Sequence, residues 1–390
     1  MHNYPLYIII IISVFLGAGL IQLLLQLTIQ RSVLSRCKAK NKEGDLTDEV
    51  KPGVSVIVYA HNQGEALMRN LPSLLDNDYP NFEVIVVDDT STDETQDVLT
   101  IMEQRNDNIF HTKLTDKVRT MSHRKLALLL GVKAAHNDII LTTKAQCVPS
   151  SKHWILKMVR NFTATTDFVI GPMVFEGRSG LFSRFCQYDL FQRMVNMFGI
   201  TMSYCAYSGW GDNMAFRKHL LFDDNNKAFS KHLNLHPGED DLFINAMAKH
   251  KRIAVECCHE SVMIRQESPL RQAWKKDRQN RAFTSGFSHP LPKIIKLVDY
   301  LTRYCCVATG IALMVWSVLN SSWLLLSVAA LMLLLRMILI STHAYFTAKA
   351  LFIHRYLLSP IIYDLWIPFV DVWFALSVSF NNKGFYVSRV

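Results

Sequence analysis

From residue 6 to residue 29 the chain is dense in leucine, isoleucine, valine and aromatic side chains, enough for one helix to cross a bilayer. A span takes about 20 apolar residues, because the hydrocarbon layer is about 30 Å thick. No basic stretch precedes the run and no small-residue cleavage pattern follows it, so it reads as a retained anchor. Arg31, Arg36, Lys38, Lys40 and Lys42 follow at once. Positive charge is retained on the cytoplasmic side, which predicts an outside N-terminus and a cytoplasmic domain after the anchor.

The other end of the chain repeats the pattern. Residues 304–319 and 323–340 are apolar runs joined by Asn320, Ser321 and Ser322, the pattern of a membrane hairpin. Arg336 lies inside the second run, where a charge is costly unless it snorkels or pairs. A third run, 360–380, carries Pro360, Asp364, Pro368 and Asp371, so spanning, re-entry and an interfacial position all stay open. The expected organisation is an anchor at 1–30, a basic cytoplasmic linker at 31–52, a globular domain at 53–285 and membrane helices at 299–380. That is a multi-pass protein of the cell membrane with one N-terminal and two to three C-terminal transmembrane helices.

The middle of the chain alternates as soluble proteins do. Residues 54–60, 82–87 and 139–143 are β-branched runs that read as buried strands, with helices expected to open in the polar residues 61–65 and run to about 75, near 94–105, and over 123–135. Strands alternating with helices predict an α/β fold with a mostly parallel sheet flanked by helices. Ligands of such sheets bind at the carboxyl ends of the strands, which here are residues 60–65, 88–92 and 144–147. There is no Gly-x-Gly-x-x-Gly and no Walker loop, which disfavours dinucleotide and P-loop chemistry. The net charge of +9 gathers beside the membrane segments without a dense basic stripe and interleaved aromatics. Anionic lipid head groups therefore explain it better than nucleic acid. The eight cysteines contain no Cys-x-x-Cys pair, and Cys257-Cys258-His259 lacks a second ligand pair at finger spacing. Reduced cytosolic thiols are expected.

Six landmarks follow in order: His61-Asn62 with Glu65; Asp88-Asp89 through Asp93; Arg124-Lys125-Leu126-Ala127; Gly209 through Arg217; Gly238-Glu239-Asp240-Asp241-Leu242; and Arg278 through Arg281. Singly each is ordinary, since paired aspartates often cap helices and acidic residues suit a helix start. In this order they resemble the family 2 glycosyltransferases of GT-A fold, in their membrane-anchored branch. The resemblance covers about residues 52–285. It implies that Ala60, His61, Asn62, Glu65, Asp88 and Asp89 surround the nucleoside of a nucleotide-diphosphate sugar. It implies Asp240 as the general base of a single, inverting displacement, Arg281 on the diphosphate, and Gly209, Trp210, Asn213 and Glu239 towards the acceptor. Trp210 reads equally as a sugar-stacking or a core aromatic. Lys125 reads as a phosphate ligand or an exposed helix lysine, the second being the commoner case.

Two departures from the family pattern matter. Where the family places the metal-binding Asp-x-Asp, this chain has Lys144-Ala145-Gln146. The family uses Mg²⁺ or Mn²⁺, but hard cations prefer carboxylate oxygen, so no metal is expected here. Lys144 is expected to take the cation's place beside the diphosphate, with Gln146 close by. The family's Gln-x-x-Arg-Trp reads Arg278-Gln279-Asn280-Arg281-Ala282, with Phe283 one place late. Arg278 is expected to add a second charge on the diphosphate. The implied activity is transfer to a membrane-proximal or lipid-linked glycan; the alternative is an inactive scaffold in a glycan-assembly complex.

Overall fold

The computed structural model describes residues 5–44, 51–115, 121–177, 179–222, 232–247, 253–266, 270–354, 356–380 and 383–386. The N-terminal apolar run belongs to a continuous helix of 35 residues, Leu6–Lys40, long and apolar enough to cross a membrane. It comprises α1 (Leu6–Leu25), a π-helical turn (Gln26–Gln30) and α2 (Arg31–Lys40). The basic segment thus continues the anchor helix to Lys40, with Val33, Cys37 and Lys40 buried.

The sheet begins with β1 (Val54–Ala60), in which every residue but Tyr59 is buried. A strand covered on both faces needs apolar side chains in both directions, which the unalternating Val-Ser-Val-Ile-Val supplies. It is followed by α3 (Gly64–Leu75), β2 (Phe82–Asp88), α4 (Thr95–Arg105), β3 (Ile109–Lys113), α5 (His123–Ala134) and β4 (Ile139–Lys144). The expected strands and helices of this half are all present. Then come β5 (Cys147–Pro149), α6 (Trp154–Val159), β6 (Phe168–Ile170), β7 (Met173–Phe175) and α7 (Leu181–Ser203). The domain closes with β8 (Met214–Arg217), α8 (His219–Phe222), α9 (Asp241–Met247), β9 (Ile253–Val255), β10 (Met263–Arg265) and α10 (Leu270–Ser285).

The main sheet has seven strands in the order β3-β2-β1-β4-β8-β6-β9. Pairing is parallel from β3 to β4 and between β6 and β9, and antiparallel where β8 joins β4 and β6. A smaller sheet, β5-β10-β7, stands beside it. The carboxyl ends of β1, β2 and β4 therefore open on one edge, where Asp88 faces Ala60 across one ladder and Lys144 faces Tyr59 across the other.

Helix α7 locks the domain to the anchor. A β-carbon on Gly199 would lie 2.4 Å from Ile29 Cγ2 and 2.7 Å from its carbonyl oxygen, so only glycine permits this approach. At the other end, α11 (Pro290–Leu319) and α12 (Trp323–Ala350) are long and apolar enough to cross a membrane, as is the anchor. The third run forms a short α13 (Ser359–Tyr363) and the 15-residue α14 (Trp366–Phe380). Fifteen residues extend about 22 Å, too short for a hydrocarbon layer of about 30 Å. Among the described residues, then, two C-terminal helices suit a span, and α14 lies against α10, where Asp371 pairs with Arg278. Arg336 is buried with Asp364 2.7 Å away, which resolves the cost of a charge inside α12.

Candidate active site

The loops that leave β1 and β2 hold each other. Asn62 has a φ of 51° and Thr90 one of 52°, backbone shapes that asparagine tolerates best after glycine. The Asn62 N–H donates to Ser91 Oγ at 2.8 Å, and its Oδ1 accepts from the Thr92 N–H at 2.9 Å. His61 donates through Nδ1 to the Asp89 carbonyl at 2.5 Å, and the Asp89 N–H donates to the Ala60 carbonyl at 2.8 Å. Glu65 stands exposed in the first turn of α3, where its charge favours the helix start.

The paired aspartates differ in their surroundings. Asp88 is fully buried, with Oδ1 accepting from the Ser91 N–H at 3.0 Å and Oδ2 without a hydrogen bond among the described residues. Asp89 accepts from the Tyr59 hydroxyl at 2.6 Å and from His123 Nδ1 at 2.7 Å. Burial, and then the Asp89 charge, push the Tyr59 phenol above its ordinary value. Neither Tyr59 nor His123 was legible as part of this edge, because an apolar strand and a helix start explain both locally.

At the end of β4, Lys144 Nζ lies 3.1 Å from Asp212 Oδ1. Asp212 is buried, with Arg265 3.7 Å from its other oxygen. Burial alone would raise the Asp212 carboxyl; Arg265 and then Lys144 outweigh it and hold the group below the ordinary range. The donor set does not fit a divalent ion. A lysine, which offers no carboxylate oxygen, holds the first position of the family's metal motif, and the acid nearest it is already paired with two basic side chains. Among the described residues no three His, Cys, Asp or Glu side chains converge as a metal site. Gln146 is half-buried on the turn into β5, and its carbonyl accepts from the Gln266 N–H at 2.8 Å.

Lys125 follows neither expectation. Its side chain is buried, and Nζ donates to the carbonyls of His232, Leu235 and Pro237 at 2.6, 3.0 and 3.1 Å. It is a clamp on the loop that leads into Glu239 and Asp240, not a phosphate ligand and not an exposed lysine. Burial brings its pKa down to about 8 against the pull of Glu239 and Asp240. The reason is topological: α5 presents this face to a loop more than a hundred residues away in sequence.

Asp240 precedes α9 in a turn shaped by Gly238, whose φ is +96°. Its Oδ2 accepts from the Gly211 N–H at 2.9 Å and its Oδ1 from the Asp241 N–H at 2.7 Å. Burial raises the Asp240 carboxyl and the neighbouring Asp241 charge adds to this, against the pull of Arg281 and Lys144. Arg281 reaches Asp241 at 2.9 Å, Asp277 at 3.5 Å and Asp240 at 3.8 Å. Its Nη1 also donates to Ser208 Oγ and the Gly209 carbonyl, and its guanidinium lies 4.6 Å from the Trp210 ring centroid. The Gly209 N–H donates back to Asp241 at 3.2 Å. Glu239 pairs with Arg124 at 3.5 Å, and these two, with Tyr59, Lys144 and Gly211, line a gap of about 40 Å³.

Three expected side chains are directed elsewhere. Arg278 is buried between Asp189, at 3.2 Å, and Asp371, so its charge is spent on α7 and α14 and not on a diphosphate. Trp210 is 1% exposed and donates through Nε1 to the Gly171 carbonyl at 3.3 Å, a core aromatic with no face open to a sugar. Asn213 is wholly buried, donating to the Pro172 and Ser261 carbonyls and accepting from Trp154 Nε1 at 3.0 Å. Its amide organises the junction of the two sheets and does not reach an acceptor. Asp212 and Asp241 were missed although both lie inside landmark segments; the available signal was an acid beside the glycines of the loop and at a helix start.

The family model described as Glycosyl transferase family 2 matches residues 55–220. Over those residues the chain is similar to the glycosyl transferases of family 2. The matched segment holds β1 to β8 and ends before Asp240 and Arg281. A Bacillus subtilis (strain 168) protein named for teichuronic acid biosynthesis as a glycosyltransferase, TuaG, is 36% identical over 78 residues, 20% of this chain. The match covers 31% of that relative, so the chain spans about a third of its length. Among solved structures, the mannosyltransferase PcManGT of Pyrobaculum calidifontis, in complex with GDP-Man and Mn²⁺, superimposes with a TM-score of 0.49 at 18% identity. The superposition covers 90% of this chain and 99% of that one. TarS 1–349 of S. aureus gives a TM-score of 0.42 at 16% identity, covering 85% and 91% respectively.

Proposed function

We propose that the chain is an inverting glycosyltransferase that moves a sugar from a nucleotide-diphosphate donor to a membrane-proximal or lipid-linked glycan, without a metal. The observation that supports this best is the setting of Asp240. A buried carboxyl with a raised pKa, tethered to the Gly211 N–H and within the field of both Arg281 and Lys144, is suited to general-base work. In this reading the nucleoside lies against the Asn62, Asp88 and Asp89 edge. The acceptor oxygen attacks the anomeric carbon from the face opposite the diphosphate, and its proton passes to Asp240. The bond to the diphosphate breaks with its electron pair, and Lys144 and Arg281 offset that charge, as preorganised cations can. The domain at 53–285 is proposed to face the cytoplasm, by the charge asymmetry around the anchor.

One observation favours a second reading. Lys144 is already paired with Asp212, and a neutralised pair offers less to a diphosphate than a divalent ion. An inactive nucleotide-sugar-binding scaffold is the alternative. Full-length protein in lipid nanodiscs, supplied with a panel of nucleotide sugars and a chelator, separates the two by release of nucleoside diphosphate. Chelator-insensitive release, lost in Asp240→Asn and in Lys144→Ala with the domain still folded, is expected. No release with any donor, and unchanged donor binding in Asp240→Asn, would establish the scaffold. Full activity in Lys144→Ala would refute the role of the lysine, whereas aspartates at both 144 and 146 should make release metal-dependent.

A further inference from the structure

Between the domain and the membrane helices lies a cavity of about 320 Å³. One wall belongs to the candidate site, where Tyr207, Ser208, Asp241 and Arg281 line it. The opposite wall comes from the C-terminal helices and mixes charged side chains, among them Lys296 and Arg303 of α11 and Asp371 of α14, with apolar ones, Leu297 of α11, Ile340 of α12, and Ile367 and Ala375 of α14. Leu297 is 56% exposed, and Val372 of the same lining is 51% exposed, so this wall runs out onto faces that suit acyl or isoprenoid chains.

The lining also carries Arg193, Arg278 and Arg303. Each has carboxylate partners, and Lys293 and Lys296 of α11 add two further cations to the lining, Lys293 Nζ donating to the Gly286 carbonyl at 2.8 Å and Lys296 Nζ lying 4.8 Å from the Tyr207 ring centroid. Guanidinium and ammonium groups both suit phosphate oxygens, so a cavity lined by these cations favours a headgroup that carries an anion. The volume suits a headgroup and not a long chain, so the apolar part of such a ligand has to lie along α11 and α14. A sequence change accounts for the space. Ala282 lines the cavity at the place where the family pattern has tryptophan, and Phe283 is turned away, stacked on Phe385 at 4.5 Å.

We propose that this cavity binds the phosphate-bearing headgroup of a membrane-embedded lipid, with the tail along α11 and α14 and the head beside Asp241 and Arg281. That the bound lipid is the acceptor rests on the transferase reading; the binding itself does not. The test uses full-length protein in phosphatidylcholine nanodiscs with a long-chain polyisoprenyl monophosphate as probe, its uncharged alcohol and inorganic phosphate as controls, and native mass spectrometry or competition as readout. The monophosphate is expected to bind at least about tenfold tighter than the alcohol, with inorganic phosphate failing to compete. Ala282→Trp fills the space and should weaken lipid binding about tenfold or more, with nucleoside diphosphate binding held within about twofold. Asn196→Trp, which fills the same cavity from α7, serves if the first variant does not fold. Equal binding of the alcohol overturns the anion site, competition by inorganic phosphate overturns the lipid source, and undiminished binding in both filled variants overturns the location. A wild type that turns over nucleotide sugars but binds no lipid refutes this proposal alone. Lipid binding without any turnover refutes only the transferase reading.

Discussion

Replacing Lys125 by methionine tests whether the clamp acts on the fold or on the site. The substitution keeps the length and apolar stem of the side chain and removes an ammonium that donates to three carbonyls of residues 232–237. Hydrogen bonds from a charged donor are worth about 1.5 kcal/mol each at the low end, so the three together stabilise by about 4.5 kcal/mol. Against this stands the cost of burying the charge. A fall in pKa from 10.5 to about 8 corresponds to about 3 kcal/mol, at 1.36 kcal/mol per pH unit. The net loss on substitution is therefore about 1.5 kcal/mol, a drop in Tm of about 3–6 °C for a domain of this size. The damage should fall on the loop that positions Glu239 and Asp240, where a misplacement of about 1 Å costs about a hundredfold in rate. Thermal unfolding, donor affinity and nucleoside diphosphate release measured on one preparation should show a small Tm change, unchanged donor binding and at least that loss of kcat. The charge penalty is fully present below pH 8 and is relieved as pH rises towards 10.5, where the unfolded chain still holds the proton. Wild-type stability should accordingly gain on the variant across that window. Unchanged kcat would refute the clamp as a device of the site, and collapse of the whole domain would show that it acts on the fold.

Asp240→Asn keeps an acceptor for the Gly211 N–H but removes the base, and kcat should fall by a factor of about 10² to 10⁴ with the Tm nearly unchanged. Since the carboxylate is the active form and its pKa is raised, wild-type kcat/KM should decline on acidification through a value above 3.8, and a profile flat down to that point would contradict the assignment. Arg278→Ala strands Asp189 and Asp371 and should cost about 3–5 kcal/mol, part of which Asp371→Asn in the same chain restores in a double-mutant cycle on Tm. Gly199→Ala drives a methyl group into Ile29 and should destabilise by about 1–3 kcal/mol, measured as a lower midpoint of thermal unfolding in nanodiscs.

The elements that sequence reading located well are those with a strong local signal. A membrane span is set by a count of apolar residues, and β1, β2 and β4 by uninterrupted β-branched runs; both are properties of the segment itself. The family 2 landmarks were legible for a related reason, since strand ends and helix starts in an α/β sheet fall where the polar residues begin. Short strands such as β6, β7, β9 and β10, each of three residues, left no comparable pattern and form only because neighbours complete their ladders.

Side-chain partners belong to the second class. An arginine in the Arg278 to Arg281 segment looks alike at either position, yet one turns to Asp371 of α14 and the other to Asp240 and Asp241. Lys125 on a helix looks exposed until a distant loop folds over it, and Trp210 looks available until Arg281 covers its ring. By itself, then, the sequence determined the helices long and apolar enough to cross a membrane, the parallel half of the sheet and the absence of carboxylates at 144 and 146. Only the tertiary structure decided that Lys144 meets Asp212, that α14 docks instead of spanning, and that Ala282 borders a cavity. The division is physical: apolar periodicity is summed along neighbouring residues, whereas a charge is satisfied by whichever partner the fold brings within about 4 Å.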